Sequence, residues 1–168
     1  MPQFNRELLK NDLEESGIEY IYLGNHLGAR QTDPYLFFYD KQIVDFEKFS
    51  KTPVFKQGLN RLFEMLTKGF KLALMCAEKD PFDCHRFVLV SHNLSKAGVQ
   101  VEHILEDGRL ESNDALEMRL LHKYKMNYQQ VTLFEKAMTK EQAIEKAYIE
   151  RNKDIGYETK EDSVMREL

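Results

Sequence analysis

The sequence predicts an α/β fold: a parallel or mixed sheet with flanking helices, Rossmann-like and three-layered, with helical C-terminal additions. Three observations predict it. Strand-like and helix-like stretches alternate through the first two thirds of the chain, which is the pattern of crossovers between parallel strands. Residues 70–77 are almost continuously apolar, as a strand covered on both faces is. Helix-start signals at Thr52-Pro53 and Asp80-Pro81 fall between the strand-like runs.

The elements follow in order. Phe4, Leu8, Leu9 and Leu13 recur at helical spacing, and Gly17 suits the position just past the end of that helix. Residues 18–23, rich in Ile and Tyr, read as a strand. A glycine-punctuated loop, 24–30, comes next, then an irregular aromatic stretch, 31–41, with Asp33-Pro34 as a turn. Residues 43–49 read as one helical segment. Thr52 as N-cap and Pro53 at the first position restart a helix. Val54, Phe55, Leu59, Leu62, Phe63 and Leu66 form its apolar face, and Gly69 ends it.

After the 70–77 strand, Asp80-Pro81 opens a helix with Phe87, Val90, Leu94 and Ala97 inward, stopped at Gly98. Asp83 falls where the positive end of the macrodipole favours a carboxylate. Residues 99–105 form the next strand, closed by an Asp107-Gly108 turn. Residues 113–124 read as helix. Thr139-Lys140-Glu141-Gln142 is a capping box opening a last helix, with Ala143, Ile144, Ala147, Tyr148 and Ile155 inward. The expected division is one α/β domain over 1–157 and a charged tail over 158–168.

A chain of 168 residues is long enough for one buried core. With 24 basic against 28 acidic residues, a net charge of −4, bulk binding to nucleic-acid phosphate is disfavoured. A small basic pocket remains compatible. No apolar run approaches the ~20 residues of a membrane span, and the N-terminus has no signal-peptide core. The expected location is the cytoplasm, away from membranes, with thiols reduced. Two cysteines are too few for a disulfide framework. Walker and dinucleotide motifs are absent, so no cofactor is expected.

Ligands of open parallel sheets bind in the loops after the strands. Those loops bring Arg30, Cys76, Glu78, Cys84, His85, Arg86 and His103 into consideration. Residues 76–86 crowd two thiols, three carboxylates, an imidazole and a guanidinium into eleven residues. Cys84, in the first turn of the expected helix, has its thiolate favoured by the dipole and by a neighbouring His or Arg. Arg86 suits bidentate contact with a carboxylate or phosphate.

Each residue also has a purely structural reading. Cys76 closes a buried strand, and Cys84 shares a helical stripe with Phe87 and Ser91. His85 fits a surface position, Arg86 a salt bridge to Glu78 or Asp83, Asp80 a cap, and His103 a satisfied structural histidine. His26, His92 and His122 have no company in the sequence. A metal site is the weaker reading: Cys76, Cys84 and His85 offer soft ligands and His103 a fourth, but neighbouring Cys84 and His85 diverge on a helix, and the spacing fits no standard zinc pattern.

The motif Leu74-Met75-Cys76-Ala77-Glu78-Lys79-Asp80-Pro81 through Cys84-His85-Arg86 resembles the central signature of the bacterial and archaeal domain-of-unknown-function family 488. Leu27-Gly28-Ala29-Arg30 is similar to its Leu-Gly-Gly-Arg loop, with Ala29 in place of the second glycine. Thr52-Pro53-Val54-Phe55 resembles the start of its middle helix, Gly98-Val99 to His103-Ile104 its following strand, and Ala147-Tyr148 to Arg151 its C-terminal helix. The resemblance implies an extra strand–helix–strand ahead of this chain's first residue. On that resemblance, either the chain is expected to be a fragment or mis-started product, or a second copy or partner chain is expected to cover the implied sheet edge.

The functional expectation is an active-site loop over 72–97 acting on an anionic, nucleotide-like or phosphorylated substrate. In it Cys84 is nucleophile or redox thiol, His85 its acid–base partner, Glu78 the orienting group, Cys76 a resolving thiol, and Arg30 and Arg86 bind the anion. The alternatives are a non-catalytic module that binds an anion or nucleic acid through the same crevice, and an inactive homologue. Whether the chain is an enzyme stays open at this point.

Overall fold

Side-chain caps set most helix starts in this chain. A computed structural model describes residues 5–39, 42–126, 128 and 138–157. Asn5 caps α1 (Arg6–Glu15), and Gly17 leaves it at φ +73°, a conformation that glycine adopts without steric cost. A single turn, α2 (Gly24–Leu27), and a 3₁₀ turn (Pro34–Leu36) follow.

The helix expected over 43–49 is shorter and later. Val44 makes an isolated antiparallel bridge with Phe37. Asp45 then caps α3 (Phe46–Ser50) by accepting from the Glu47 and Lys48 N–H groups. α4 (Pro53–Thr67) starts at Thr52 as the sequence predicts. At its Gly58, an added Cβ would stand 2.7 Å from His26 Cβ and from Leu27 Cδ2. That close approach seats α2, and with it the 24–30 loop, on α4.

The parallel sheet does not form among the described residues, where the one sheet is antiparallel. β1 (Glu102–Ile104) pairs with β2 (Leu110–Ser112), with the Asp107-Gly108 turn between them. Residues 18–23 and 70–77 carry no ladder. The 70–77 run is not covered on both faces either: Leu72, Leu74 and Cys76 are half-buried, while Lys71, Ala73 and Met75 are exposed. Its burial has the period of two of a one-sided extended segment. The architecture is therefore mixed α/β and dominated by helix.

The expected single helix after Asp80-Pro81 is broken. Asp80 caps only a 3₁₀ turn (Pro81–Asp83). Cys84 is extended, at φ −122° and ψ 143°. The chain then winds as a π-helix (Arg86–Ser91) that continues into α5 (His92–Lys96). Such π turns recur at functional sites. Phe87 lies at the centre of the core, 5.2 Å from the Tyr148 ring, 5.5 Å from His103 and 6.0 Å from Phe82, centroid to centroid.

α6 (Asn113–Lys123), capped by Ser112, and α7 (Lys140–Ile155), opened by the Thr139 capping box, pack against each other. Ala143, Ala147 and Tyr148 point inward as expected, joined by Arg151 and Asn152. Asn152 straps α7 to α3, accepting from the Phe46 N–H at 2.7 Å and donating to the Val44 carbonyl at 2.9 Å. The tail over 158–168 lies outside the described residues.

Candidate functional site

The 76–86 loop converges because two arginines grip its backbone. Arg151, 4% exposed, donates through Nε to the Phe82 carbonyl at 3.1 Å and pairs with Asp83. This holds the 3₁₀ turn against α7. Arg86 donates to the Leu74 carbonyl at 3.4 Å and the Glu78 carbonyl at 3.0 Å, closing the loop at its neck.

Cys84 occupies the place of an N-cap for the helix that follows. Its carbonyl accepts from the Phe87 and Val88 N–H groups. Its Sγ accepts from the Arg86 backbone N–H and from Arg86 Nε, both at 3.3 Å. An extended residue followed by a helical one sends its side chain a different way from two successive helical residues. Cys84 and His85 therefore converge, against the expectation that they diverge along a helix.

Four side chains meet there. Glu78 Oε2 lies 2.6 Å from Cys76 Sγ and 3.2 Å from Cys84 Sγ. His85 Nδ1 lies 3.5 Å from Cys76 Sγ and 3.9 Å from Cys84 Sγ. All four donor atoms fall within 4.8 Å of one another, a set able to hold a metal ion.

The two thiols differ in access and in proton affinity. Cys84 is 0% exposed, whereas Cys76 is half-buried. The Cys76 thiol is lowered from its usual 9.0 to about 5, chiefly by the hydrogen bond from Cys84 and, against the cost of burial, by His85. The Cys84 thiol is raised, first by the hydrogen bond to Cys76 and then by burial. A second negative charge beside the first is disfavoured. Glu78 is held below the usual carboxylate range: burial, the largest influence, opposes this, and the hydrogen bonds from the two thiols outweigh it.

A crevice of about 780 Å³ opens onto the cluster. Cys76, Glu78 and His85 line it together with Arg30 and others of the 24–30 loop. Arg30 is exposed, its guanidinium carbon 5.1 Å from the Tyr157 ring centroid. Of the sequence-predicted residues, Arg30, Cys76, Glu78 and His85 thus line one crevice. The expected order of access between the cysteines is reversed: Cys84 is sealed beneath, because the helix start and Arg86 cover it. Arg86 has three of its side-chain nitrogens engaged within the chain and acts as a clamp. His103 lies elsewhere, buried against Phe87 and bonded to Asn113 Oδ1 at 3.2 Å, with its pKa lowered by burial. That fits its structural reading.

A second polar network had no local signal in the sequence. Tyr148 donates to Glu117 at 3.0 Å, and Asn113 links Glu117 to His103. His92 stacks on Tyr148 at 3.8 Å between centroids and meets Glu145 at 3.3 Å. Burial raises the Glu117 carboxyl, while the His92 hydrogen bond holds Glu145 at about 2. Its links from Glu117 to Tyr148 and from His92 to Glu145 span 31 and 53 residues, so only the folded chain assembles it.

No helix among the described residues is long and apolar enough to cross a membrane. The family model described as Domain of unknown function DUF488 matches residues 1–92, more than half of the chain. Comparisons with curated proteins and with solved structures gave no match.

Proposed function

The chain belongs to the DUF488 family, whose description assigns no activity, and from the site itself we propose a reactive-thiol centre acting on a small anionic substrate. The observation that carries the reading is the Cys76 thiol, lowered to about 5, on the wall of a crevice that also holds Arg30. At neutral pH it stands as thiolate, the nucleophilic form. Cys76 attacks an electrophilic centre, and its sulfur bonds to that centre as the leaving group departs. His85, beside the sulfur, takes the thiol proton as the thiolate forms and passes it to the leaving group. Cys84 donates its S–H to the Cys76 thiolate from behind, outweighing Glu78, whose hydrogen bond with Cys76 favours the thiol. Arg30 draws the substrate's negative charge into the crevice.

In the alternative, a non-catalytic module that binds an anion or nucleic acid through the same crevice, the engaged nitrogens of Arg86 weigh against its share and leave that role to Arg30. The test compares alkylation of Cys76 by iodoacetate and by neutral iodoacetamide, with the site assigned by peptide mass mapping. Iodoacetate is expected to gain over iodoacetamide relative to the denatured chain. Arg30→Ala should cut that gain about fivefold, from roughly 1 kcal/mol of charge attraction in a hydrated crevice. Equal selectivity with and without Arg30, or a Cys76 inert until unfolding, would sink the reading.

A further inference from the structure

We propose that Cys76, Glu78, Cys84 and His85 form a tetrahedral site for one soft divalent cation of the zinc class. The inference concerns the metal-loaded state of the same four side chains, in which Cys76 and His85 are ligands, while the thiol reading concerns the metal-free protein; it holds or fails independently of any anionic substrate.

The geometry argues first. Zinc bonds to sulfur, nitrogen and oxygen imply ligand-to-ligand edges of roughly 3.5–3.8 Å in a tetrahedron. The distances from Cys76 to His85, Cys84 to Glu78 and Cys84 to His85 are 3.5, 3.2 and 3.9 Å. The Cys76 to Glu78 edge, at 2.6 Å, is short and has only to open. The two remaining edges, Cys76 to Cys84 and Glu78 to His85, lie within the 4.8 Å limit of the set.

The donor types argue second. Two sulfurs and an imidazole select a zinc-like ion over magnesium or calcium, which prefer oxygen. Charge argues third. Both thiols would give up their protons on binding the ion, and the divalent cation and the Arg86 guanidinium together would match the two thiolates and the Glu78 carboxylate.

The surroundings are those of a built site. Arg86 fixes Cys84 Sγ through two N–H donors at 3.3 Å, the orienting contact that metal-bound sulfur uses. Cys84 is sealed in the interior, Cys76 and His85 are half-buried, and Glu78 is exposed. The ion would sit at the floor of the crevice, with Glu78 as its outermost ligand. Glu78 is therefore the ligand that an incoming molecule can displace, leaving the three-ligand set of a catalytic zinc site.

The test is titration of reduced, chelator-stripped protein with Co(II). One equivalent should bind, with thiolate-to-cobalt charge transfer and the intense visible absorption of tetrahedral cobalt, and one equivalent of Zn(II) should bleach both. Cys84→Ser and His85→Gln should each weaken binding at least about tenfold while the far-ultraviolet circular dichroism stays native. A weak octahedral spectrum, no charge-transfer band in folded protein, or full binding by the Cys76→Ser/Cys84→Ser double variant would overturn the site.

Should Cys84→Ser fail to fold, the native protein decides. One equivalent of Zn(II) is expected to slow Cys76 alkylation at least tenfold, and an unchanged rate overturns the proposal. The selectivity of Cys76 in metal-stripped protein reports on the thiol reading alone, so the two failures are distinguishable.

Discussion

The lowered Cys76 thiol makes a prediction that a single rate at neutral pH would miss. The thiol titrates at about 5 instead of 9.0, so at pH 7 it is almost wholly thiolate, about 100-fold more so than an ordinary thiol. A weaker base is also a weaker nucleophile: with a Brønsted slope near 0.4–0.5, four pKa units cost roughly 40- to 100-fold in intrinsic reactivity. The two effects nearly cancel at pH 7. They separate on either side. At about pH 5.5 folded Cys76 should react with iodoacetamide roughly 20- to 60-fold faster than in the denatured chain. At about pH 9 it should react roughly 20- to 50-fold slower. The sign is fixed by the direction of the shift: an acid lowered in the folded state loses its proton earlier as pH rises, so the rate levels off above about pH 6. Stopped alkylation read by intact mass measures both profiles. Cys84→Ala removes the largest lowering influence and should move the midpoint upward. A folded-state rate that climbs through pH 8–9 without a plateau would refute the assigned thiolate and the nucleophilic role built on it.

Two further predictions test the frame around the cluster. Arg86→Lys loses the planar fork that reaches Cys84 Sγ and the Leu74 and Glu78 carbonyls together. Urea unfolding should show a loss of about 2–3 kcal/mol, and an unchanged midpoint would remove the clamp from the account. Arg151→Met keeps an apolar stem beside Phe82, whose ring centre lies 4.6 Å from the guanidinium carbon. It leaves the Phe82 carbonyl without its donor, which should cost about 1–3 kcal/mol by thermal or urea unfolding.

Local signals were legible and long-range ones were not. Thr52-Pro53, Thr139 with Gln142, and the glycines at 17, 69, 98 and 108 act within three or four residues of themselves, and each stands where a cap or a left-handed turn requires it. The apolar run over 70–77 showed that the segment packs, and Leu72 and Leu74 do lie against the core. It could not show a ladder partner, because pairing is a property of two segments. Asp80-Pro81 carries a true start signal, but its helix lasts one 3₁₀ turn. Arg151, 69 residues beyond Phe82, holds that turn, and nothing near Asp80 encodes it. The cluster residues were legible by type and crowding. Their roles were not, because access and convergence depend on the break at Cys84.

That break explains why Cys84, His85 and Arg86 can serve one site from consecutive positions. In a regular helix, neighbours point about 100° apart and at most one of three would face a given ligand. Here Cys84 is extended and His85 is the first helical residue. Their side chains meet on one side, while Arg86 folds back along the loop to reach Leu74 and Glu78. Arg86 thereby ties both cysteine-bearing segments, the stretch ahead of Cys76 and the helix start at Cys84, to one guanidinium. The start of the helix at Cys84 is thus braced against the stretch that leads to Cys76 by a planar, rigid group. A thiol pair meant only to pack would need no such brace. A pair that must present one sulfur to a crevice and keep the other beneath it does, and Arg86 supplies it at the cost of its own availability to an anion.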